Sequence, residues 1–304
     1  MYNSKSDKRA ILTGGTGFVG SNLVKYLIAN GWQVNVIVRP DTNTEILNYY
    51  QKHIKFYVHD FTTRGMLNIF KESSPFIVFH LASLFLSEHK SDDIESLIQS
   101  NVTFSTQLTE AMIRTDVKYL INTGTSWQHF DNEEYNPVNL YAATKQAFES
   151  ILSYYSNAYE LKVLTLKLFD TYGPNDTRKK LIHLLWQTAT QQVPLSMSPG
   201  KQLVDLVYID DVVSAFNLAV TSVVTQSHSH TCYGVSSGSP ISIIDLVSIF
   251  QTVTGYSLSI KFGDRPYRVR EVMTPWSNYN ILPNWSAETS LEKGILSCSP
   301  SLFK

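Results

Sequence analysis

The amino-acid sequence predicts an α/β protein, with a doubly wound parallel sheet over residues 1–173 and a smaller mixed α/β region over 174–304. Three observations predict it. Strand-like and helix-like segments alternate strictly up to Gly173-Pro174. The strand candidates are continuous apolar runs, such as Phe76-Ile-Val-Phe-His-Leu81, which suits strands covered on both faces. A glycine-rich turn, Thr13-Gly-Gly-Thr-Gly-Phe-Val-Gly20, separates the first strand from the first helix.

The elements follow in order. Residues 1–8 are polar and read as a frayed arm. Apolar runs predict strands at 9–13, 33–38, 54–58, 76–81, 117–123 and 162–169. Helical patterns lie between them at 18–30, 43–52, 63–72, 92–115 and 140–158. The first is typical, with Val19, Leu23, Val24, Leu27 and Ile28 on one face. Past Pro174 the regularity fades. Helices are expected at 178–191, 210–221 and 242–254, with short strands near 203–208, 231–235 and 258–262. Segments near 203–235 are candidates to return to the main sheet. There is no internal repeat and no low-complexity tract.

Bulk composition narrows the function classes. A chain of 304 residues that is 43% hydrophobic and 17% charged can bury a large core and is not disordered. A net charge of -1 indicates no polyanion-binding surface, so no nucleic-acid partner is expected. Two cysteines, Cys232 and Cys298, provide neither a disulfide framework nor a metal spacing. A reducing, cytoplasmic setting is the expectation, with no signal peptide, no membrane span and no metal.

The glycine turn points to a phosphate. Gly14, Gly17 and Gly20 stand at G-x-x-G-x-x-G spacing. The first allows a sharp turn, the second lets backbone approach a pyrophosphate, and the third lets the helix pack on the strand. Amides at the helix start, aided by its dipole, then face the phosphates. Thr16, Phe18 and Val19 belong to the same dinucleotide-binding stretch. The second strand ends in Arg39, where an acidic residue would bind the ribose 2′-hydroxyl of NAD. Arginine suits the 2′-phosphate of NADP, so NADP(H) is favoured, with NAD(H) the other option. Asp60, followed by Phe61, either caps helix 63–72 or binds the adenine amino group. His59 is expected on the surface. The fourth strand ends in His80-Leu81-Ala82-Ser83, small enough at its end for a cofactor to cross, and His80 reads as a satisfied strand-end histidine.

The catalytic candidates come next. Strand 117–123 ends Asn122-Thr-Gly-Thr-Ser-Trp127, and Tyr141-Ala-Ala-Thr-Lys145 opens a helix. Tyr141 and Lys145, four apart, share a helix face. An ammonium beside a phenol is expected to lower the tyrosine pKa from about 10, so that it exchanges a proton with a carbonyl or alkoxide oxygen. Thr123 or Thr125 would hydrogen-bond that oxygen. Both lie on one side of the strand, so parity cannot choose between them.

These motifs jointly resemble a family. The turn at 13–20, His80-Leu-Ala, Asn101 within its helix, Tyr141-x-x-x-Lys145, Tyr172-Gly-Pro174 and Asp205-Leu-Val-Tyr-Ile-Asp-Asp211-Val are similar to the extended short-chain dehydrogenase/reductases that act on nucleotide sugars. The resemblance extends to Trp285 and Leu291-Glu-Lys-Gly-Ile295. It implies a Rossmann domain holding NAD(P) and a C-terminal domain closing over a nucleoside-diphosphate sugar. It implies a Ser/Thr–Tyr–Lys triad, cofactor contacts that include Asn101, and a homodimer formed through helices 92–115 and 140–158. Within the family, 4,6-dehydratases carry Thr-Asp-Glu where this chain has Thr123-Gly124-Thr125, so the acid and base of dehydration are missing. Hydride transfer at a sugar carbon remains. The short Thr123–Tyr141 spacing, Arg39 and Arg268-Val-Arg-Glu271-Val-Met273 most resemble the 4-ketoreductases that complete CDP-3,6-dideoxyhexoses, the abequose- and paratose-synthase type, in surface-polysaccharide synthesis. An NAD-dependent 4-epimerase is the alternative, and a non-catalytic NADP-sensing regulator a remote one. Substrate contacts are expected from Ser83, Thr125, Ser126, Asp170, Arg178 and Arg268. One departure stands out. Val204 replaces an arginine that can hold the nucleotide phosphates, so either Arg178, Arg265 or Arg268 does so or the substrate sits differently.

Overall fold

The computed structural model describes residues 8–300, so the arm expected over 1–8 lies almost wholly outside the described residues. The strands are β1 (Arg9–Thr13), β2 (Gln33–Val38), β3 (Ile54–Val58), β4 (Ile77–His80), β5 (Tyr119–Thr125), β6 (Lys162–Leu168), β7 (Asp170–Tyr172), β8 (Leu195–Met197), β9 (Leu203–Val204), β10 (Leu206–Tyr208), β11 (His230–Val235), β12 (Ile241–Ser242) and β13 (Ile260–Phe262). The α-helices are α1 (Phe18–Ala29), α2 (Thr63–Ser73), α3 (Ile94–Ile98), α4 (Phe104–Arg114), α5 (Leu140–Tyr159), α6 (Leu181–Gln191), α7 (Ile209–Thr225), α8 (Ile243–Thr254) and α9 (Leu291–Ser297).

Seven strands form one parallel sheet in the order β11-β6-β5-β4-β1-β2-β3. The apolar runs are continuous because each strand feeds two cores. Leu12, Phe79, Ile121 and Leu164 face the core that includes helices α1 and α7. Their neighbours Ile11, Val78, Leu120 and Val163 face the other core, with Met66, Leu108 and Phe148. Chain order reverses beside β1, with β2 and β3 on one side and β4 on the other. That reversal opens a crevice at the carboxyl ends of β1 and β4, where ligands enter sheets of this kind.

Several elements differ from the sequence expectation for local reasons. The segment expected as helix 43–52 is a 3₁₀ helix, Glu45–His53, in which Leu47 is buried. The helix expected over 92–115 is broken by a π-helical turn, Gln99–Thr103, which carries buried Asn101. Strand β5 runs on to Thr125 because Gly124 and Thr125 pair with Lys167 and Leu168 of β6. The expected strand near 203–208 divides at Asp205. Leu203–Val204 pairs with β12 and Leu206–Tyr208 with β7. The Asp205 carboxylate instead accepts from Ser236 Oγ (2.5 Å) and Ser237 N (2.8 Å). Downstream, Asp211 accepts from the backbone of Glu288 and Thr289, and Trp285 Nε1 donates to the Asp211 carbonyl. These bonds fasten the last segments against α7.

Candidate active site

The glycine turn has the form its spacing predicts. Gly14 has φ +71°, and a Cβ there would stand 2.6 Å from Ala82 N. A Cβ on Gly20 would overlap the Gly14 carbonyl oxygen. Gly17 is the N-cap of α1 and supplies no side-chain cap, and the first turn holds no acidic residue. The first amides of α1 therefore remain available to an anion. Beside them runs a groove of about 440 Å³ lined by Gly14, Thr16, Gly17, Arg39, Phe61, Leu81, Ala82 and Ser83. A cradle that added methyl groups would fill, facing uncapped helix amides, fits a dinucleotide.

The groove's rim decides the roles of three residues. Arg39 is exposed at the rim, 3.7 Å from the Asp41 carboxylate. Asp60 does not line the groove. Its Oδ1 accepts from Thr62 N (2.9 Å) and Thr62 Oγ1 (2.7 Å), which hold its carboxyl below the usual range, and Thr62 itself caps α2. His59 corrects the expectation of a surface residue. It is 1% exposed, its Nε2 donates to the Thr62 carbonyl, and its ring packs against Phe61 and Phe104. Two flanking aromatic rings bury it, and burial lowers its pKa.

His80 is a satisfied core histidine. Thr13 Oγ1 lies 2.8 Å from its Nδ1 and Ser105 Oγ 2.8 Å from its Nε2, while burial drives its pKa well below the usual value. Asn101 is also consumed internally. It accepts from Leu84 N and Ser83 Oγ, and donates to Leu84 O and Thr144 Oγ1. The π-helical turn thus aims Asn101 at the 83–84 loop, which it holds in place against α5. The groove's lining does not include it.

Asn139 caps α5, accepting from Ala142 N at 2.9 Å, and donates to the Leu86 and Ser87 carbonyls. This fixes Tyr141 in the first turn. Tyr141 lines a cleft of about 270 Å³ together with Gly17, Phe18, Val19, Gly20, Thr123, Thr125, Ser126 and Asp170. The Ser83 hydroxyl hydrogen-bonds its phenol, and Phe85 packs edge-on at 5.0 Å. Burial pushes the phenol up to about 12, only partly opposed by Ser83. This reverses the expected lowering, because desolvation of the buried phenol dominates its surroundings. Lys145 is 4% exposed, and burial brings it down to about 8 against the pull of Glu149.

The two threonines differ in tertiary surroundings. Thr125 Oγ1 accepts from Trp127 N at 3.3 Å, capping a 3₁₀ turn. Thr123 Oγ1 is buried with no hydrogen-bond partner.

A second cleft, about 540 Å³, adjoins the first and is lined by Phe85, Ser126, Trp127, Asp170, Arg178, Lys180, Arg268, Glu271 and Trp276 among others. Its cations are held by carboxylates and aromatic faces. Arg178 grips Asp176 through two 2.8 Å bonds and lies over Phe18. Arg268 grips Glu271 (3.1 and 3.0 Å) and lies over Trp127. Lys180 pairs with Asp170 at 3.4 Å over Phe85. Arg265 is absent from the lining, and Arg270 turns to Asn136. Sequence reasoning missed Phe85, Lys180 and Trp276, which no motif marks. Lys180 ends an Arg-Lys-Lys run whose direction only the fold determines.

The model of the NAD dependent epimerase/dehydratase family matches residues 10–233. The chain is 28% identical over 290 residues to the CDP-abequose synthase of Yersinia pseudotuberculosis, covering 95% of this chain and 98% of that protein. It is 26% identical to the CDP-abequose synthase of Salmonella muenchen, covering 95% and 96%. Its fold is similar to the UDP-glucose 4-epimerase of Thermotoga maritima, solved with UDP-glucose, with a TM-score of 0.86 at 24% identity over 97% of this chain and 98% of that one. With the family model spanning the glycine turn and the Tyr141–Lys145 pair, the chain belongs to the NAD dependent epimerase/dehydratase family.

Proposed function

We propose that this enzyme uses NADPH to reduce the C4 ketone of a nucleotide-linked, CDP-linked by resemblance, 4-keto-6-deoxy or 3,6-dideoxy sugar for surface-polysaccharide synthesis in the cytoplasm. The observation that carries the reading is the makeup of the site around Tyr141. The residues where a dehydratase has its acid and base are Gly124 and Thr125. A side chain at 124 would meet Gln128, Lys167 and Glu149 within 3.0 Å. A protonated phenol, a buried ammonium and an uncommitted hydroxyl remain, which is the equipment for delivering one proton to one oxygen.

Bound NADPH supplies the hydride. The uncapped amides of α1 would hold its pyrophosphate, and Arg39, exposed at the rim of the groove, would pair with its 2′-phosphate. Thr123 positions the sugar carbonyl by hydrogen bonding, and Tyr141 donates its proton to the oxygen as negative charge develops there. Lys145 holds the nicotinamide ribose and stabilises the phenolate left behind. Arg178, Lys180 and Arg268 meet the sugar nucleotide's diphosphate, and its binding energy places C4 for reaction. The protein forms a homodimer through α3, α4 and α5, whose outer faces expose Ile94, Ile98, Tyr154 and Tyr159.

Offering a panel of nucleotide 4-keto-6-deoxysugars with NADPH and NADH in parallel, and following loss of reduced-nicotinamide absorbance, tests the reading. Oxidation with none of them overturns it. The likeness to UDP-glucose 4-epimerase structures favours a second reading, a 4-epimerase, which would retain tightly bound NAD. Identifying the coenzyme released on denaturation separates the two.

The threonines provide a sharper test. Thr123→Ala is expected to lower kcat by roughly 10²-fold, the usual cost of one lost donor to a reacting oxygen. Thr125→Ala, which removes a turn cap, is expected to cost about 1 kcal/mol of stability with a much smaller loss of kcat. Steady-state kinetics and thermal unfolding of both variants check this, and a reversed order of kcat losses would reassign the hydroxyl.

A further inference from the structure

Beneath β5 lies a buried ionic cluster in which Lys145 meets two groups that the proposed mechanism does not use, Glu149 and Lys167. Lys145 and Lys167 are each 4% exposed, and Glu149 is 6% exposed. Glu149 follows Lys145 by one turn of α5, so both point from the same helix face. Yet both its oxygens are engaged elsewhere. Lys167 Nζ lies 3.1 Å from Oε2, and Gln128 Nε2 donates to Oε1 at 2.8 Å. Among the described residues no carboxylate lies within 4.0 Å of Lys145 Nζ.

The cluster is locked from every side. Lys167 Nζ also donates to His129 Nε2 at 2.8 Å. His129 Nδ1 donates to the Glu133 carbonyl at 3.0 Å, which fixes the neutral tautomer with Nε2 as acceptor. Gln128 Oε1 accepts from Thr125 N, so the cluster touches the catalytic strand directly. His129 stacks on Trp276 at 3.9 Å, and Trp276 lines the larger cleft.

We propose that Lys167 and Gln128 hold Glu149 back from Lys145, so that the Lys145 ammonium stays unpaired; Glu149 and Lys167 are positioning residues for Lys145. The charged and titratable groups around Lys145 and Glu149 are His80 on β4, Lys167 on β6, His129 and Tyr135 after β5, and His230 and Cys232 on β11, with Tyr141 one turn before Lys145 on α5. Burial and Lys167 together disfavour protonation of His129, so the neutral tautomer persists at neutral pH. One carboxylate then serves two lysines. Removing either partner of the Glu149–Lys167 tie moves Lys145 in opposite directions. Without Lys167, Glu149 is released to pair with Lys145. Without the Glu149 charge, two ammonium groups are left with no counter-ion.

The inference rests on Lys145 holding the coenzyme, so the test reads coenzyme binding, which needs no sugar. The pH dependence of NADPH affinity, followed by nicotinamide fluorescence, reports the titration of Lys145, and Lys145→Met should abolish that limb. Glu149→Gln is expected to move the limb down by about one pH unit, and Lys167→Met to move it up by about as much, each roughly a tenfold change in proton affinity. Lys167→Arg, which keeps the charge, should restore the original profile. Where either first variant fails to fold, Glu149→Asp and Lys167→Gln carry the same signs with smaller shifts. Unmoved limbs, or limbs that move in the same direction, overturn the proposal. Binding profiles that shift as expected in a protein that reduces no ketosugar would uphold this cluster and sink the proposed reaction instead.

Discussion

Tyr141→Phe is expected to lower turnover on the ketosugar by on the order of 10³-fold while NADPH affinity stays within a few-fold of the parent. The phenol lines the cleft from the first turn of α5, and phenylalanine fills the same space against Phe85 and Ser83. Coenzyme affinity is retained because the groove of glycines and small residues is untouched. Steady-state kinetics alongside a coenzyme-binding titration checks both halves. Near-normal turnover in this variant would assign the proton to another donor. The pH profile provides a companion result. Tyr141 remains protonated at neutral pH, since burial pushes it to about 12, so it can donate there. Lys145 is charged below about 8 and neutral above it. Turnover is therefore expected to decline as pH rises through about 8, and a flat profile across that range would remove Lys145 from the mechanism.

Gly20→Ala is expected to destabilise the protein by about 3 kcal/mol and to abolish coenzyme binding. The added methyl would overlap the carbonyl oxygen of Gly14, so α1 could not close onto the turn after β1. Relief would require moving backbone on both sides of the groove. Gly17→Ala is the informative contrast. Gly17 is exposed, and a Cβ there would meet only the Gly14 oxygen at 3.3 Å. That variant should keep its thermal stability within about 1 kcal/mol yet bind coenzyme weakly, because its methyl stands among the amides that face the pyrophosphate. Thermal unfolding and fluorescence titration of the pair separate a glycine needed for packing from one needed for ligand approach. Equal stabilities for the two variants would contradict the packing role of Gly20.

Much of this protein was legible without coordinates. Continuous apolar runs, such as the one ending at His80, required burial on both faces, and Ile11 beside Leu12 shows how adjacent residues serve opposite cores. The glycine spacing and the Tyr141–Lys145 spacing on α5 were equally plain, because both depend on residues a few positions apart. What lay hidden depends on long-range neighbours. Parity places Thr123 and Thr125 on one side of β5, and only the tertiary structure shows that Thr125 Oγ1 accepts from Trp127 N while Thr123 Oγ1 is buried without a partner. The charge pattern alone would let Lys145 lower the Tyr141 pKa, whereas packing around the phenol makes desolvation win. His59 looked like a surface residue until Phe61 and Phe104 closed over it. The Glu149–Lys167 tie joins residues eighteen apart on a helix and a strand, and no local spacing predicts it. The sequence by itself determined the layers, the glycine turn and the placing of Tyr141 and Lys145 on one helix face, since these follow from local periodicity and backbone sterics. Only the tertiary structure decided which groups are buried, paired or free, because burial and charge compensation are properties of neighbours brought together by folding.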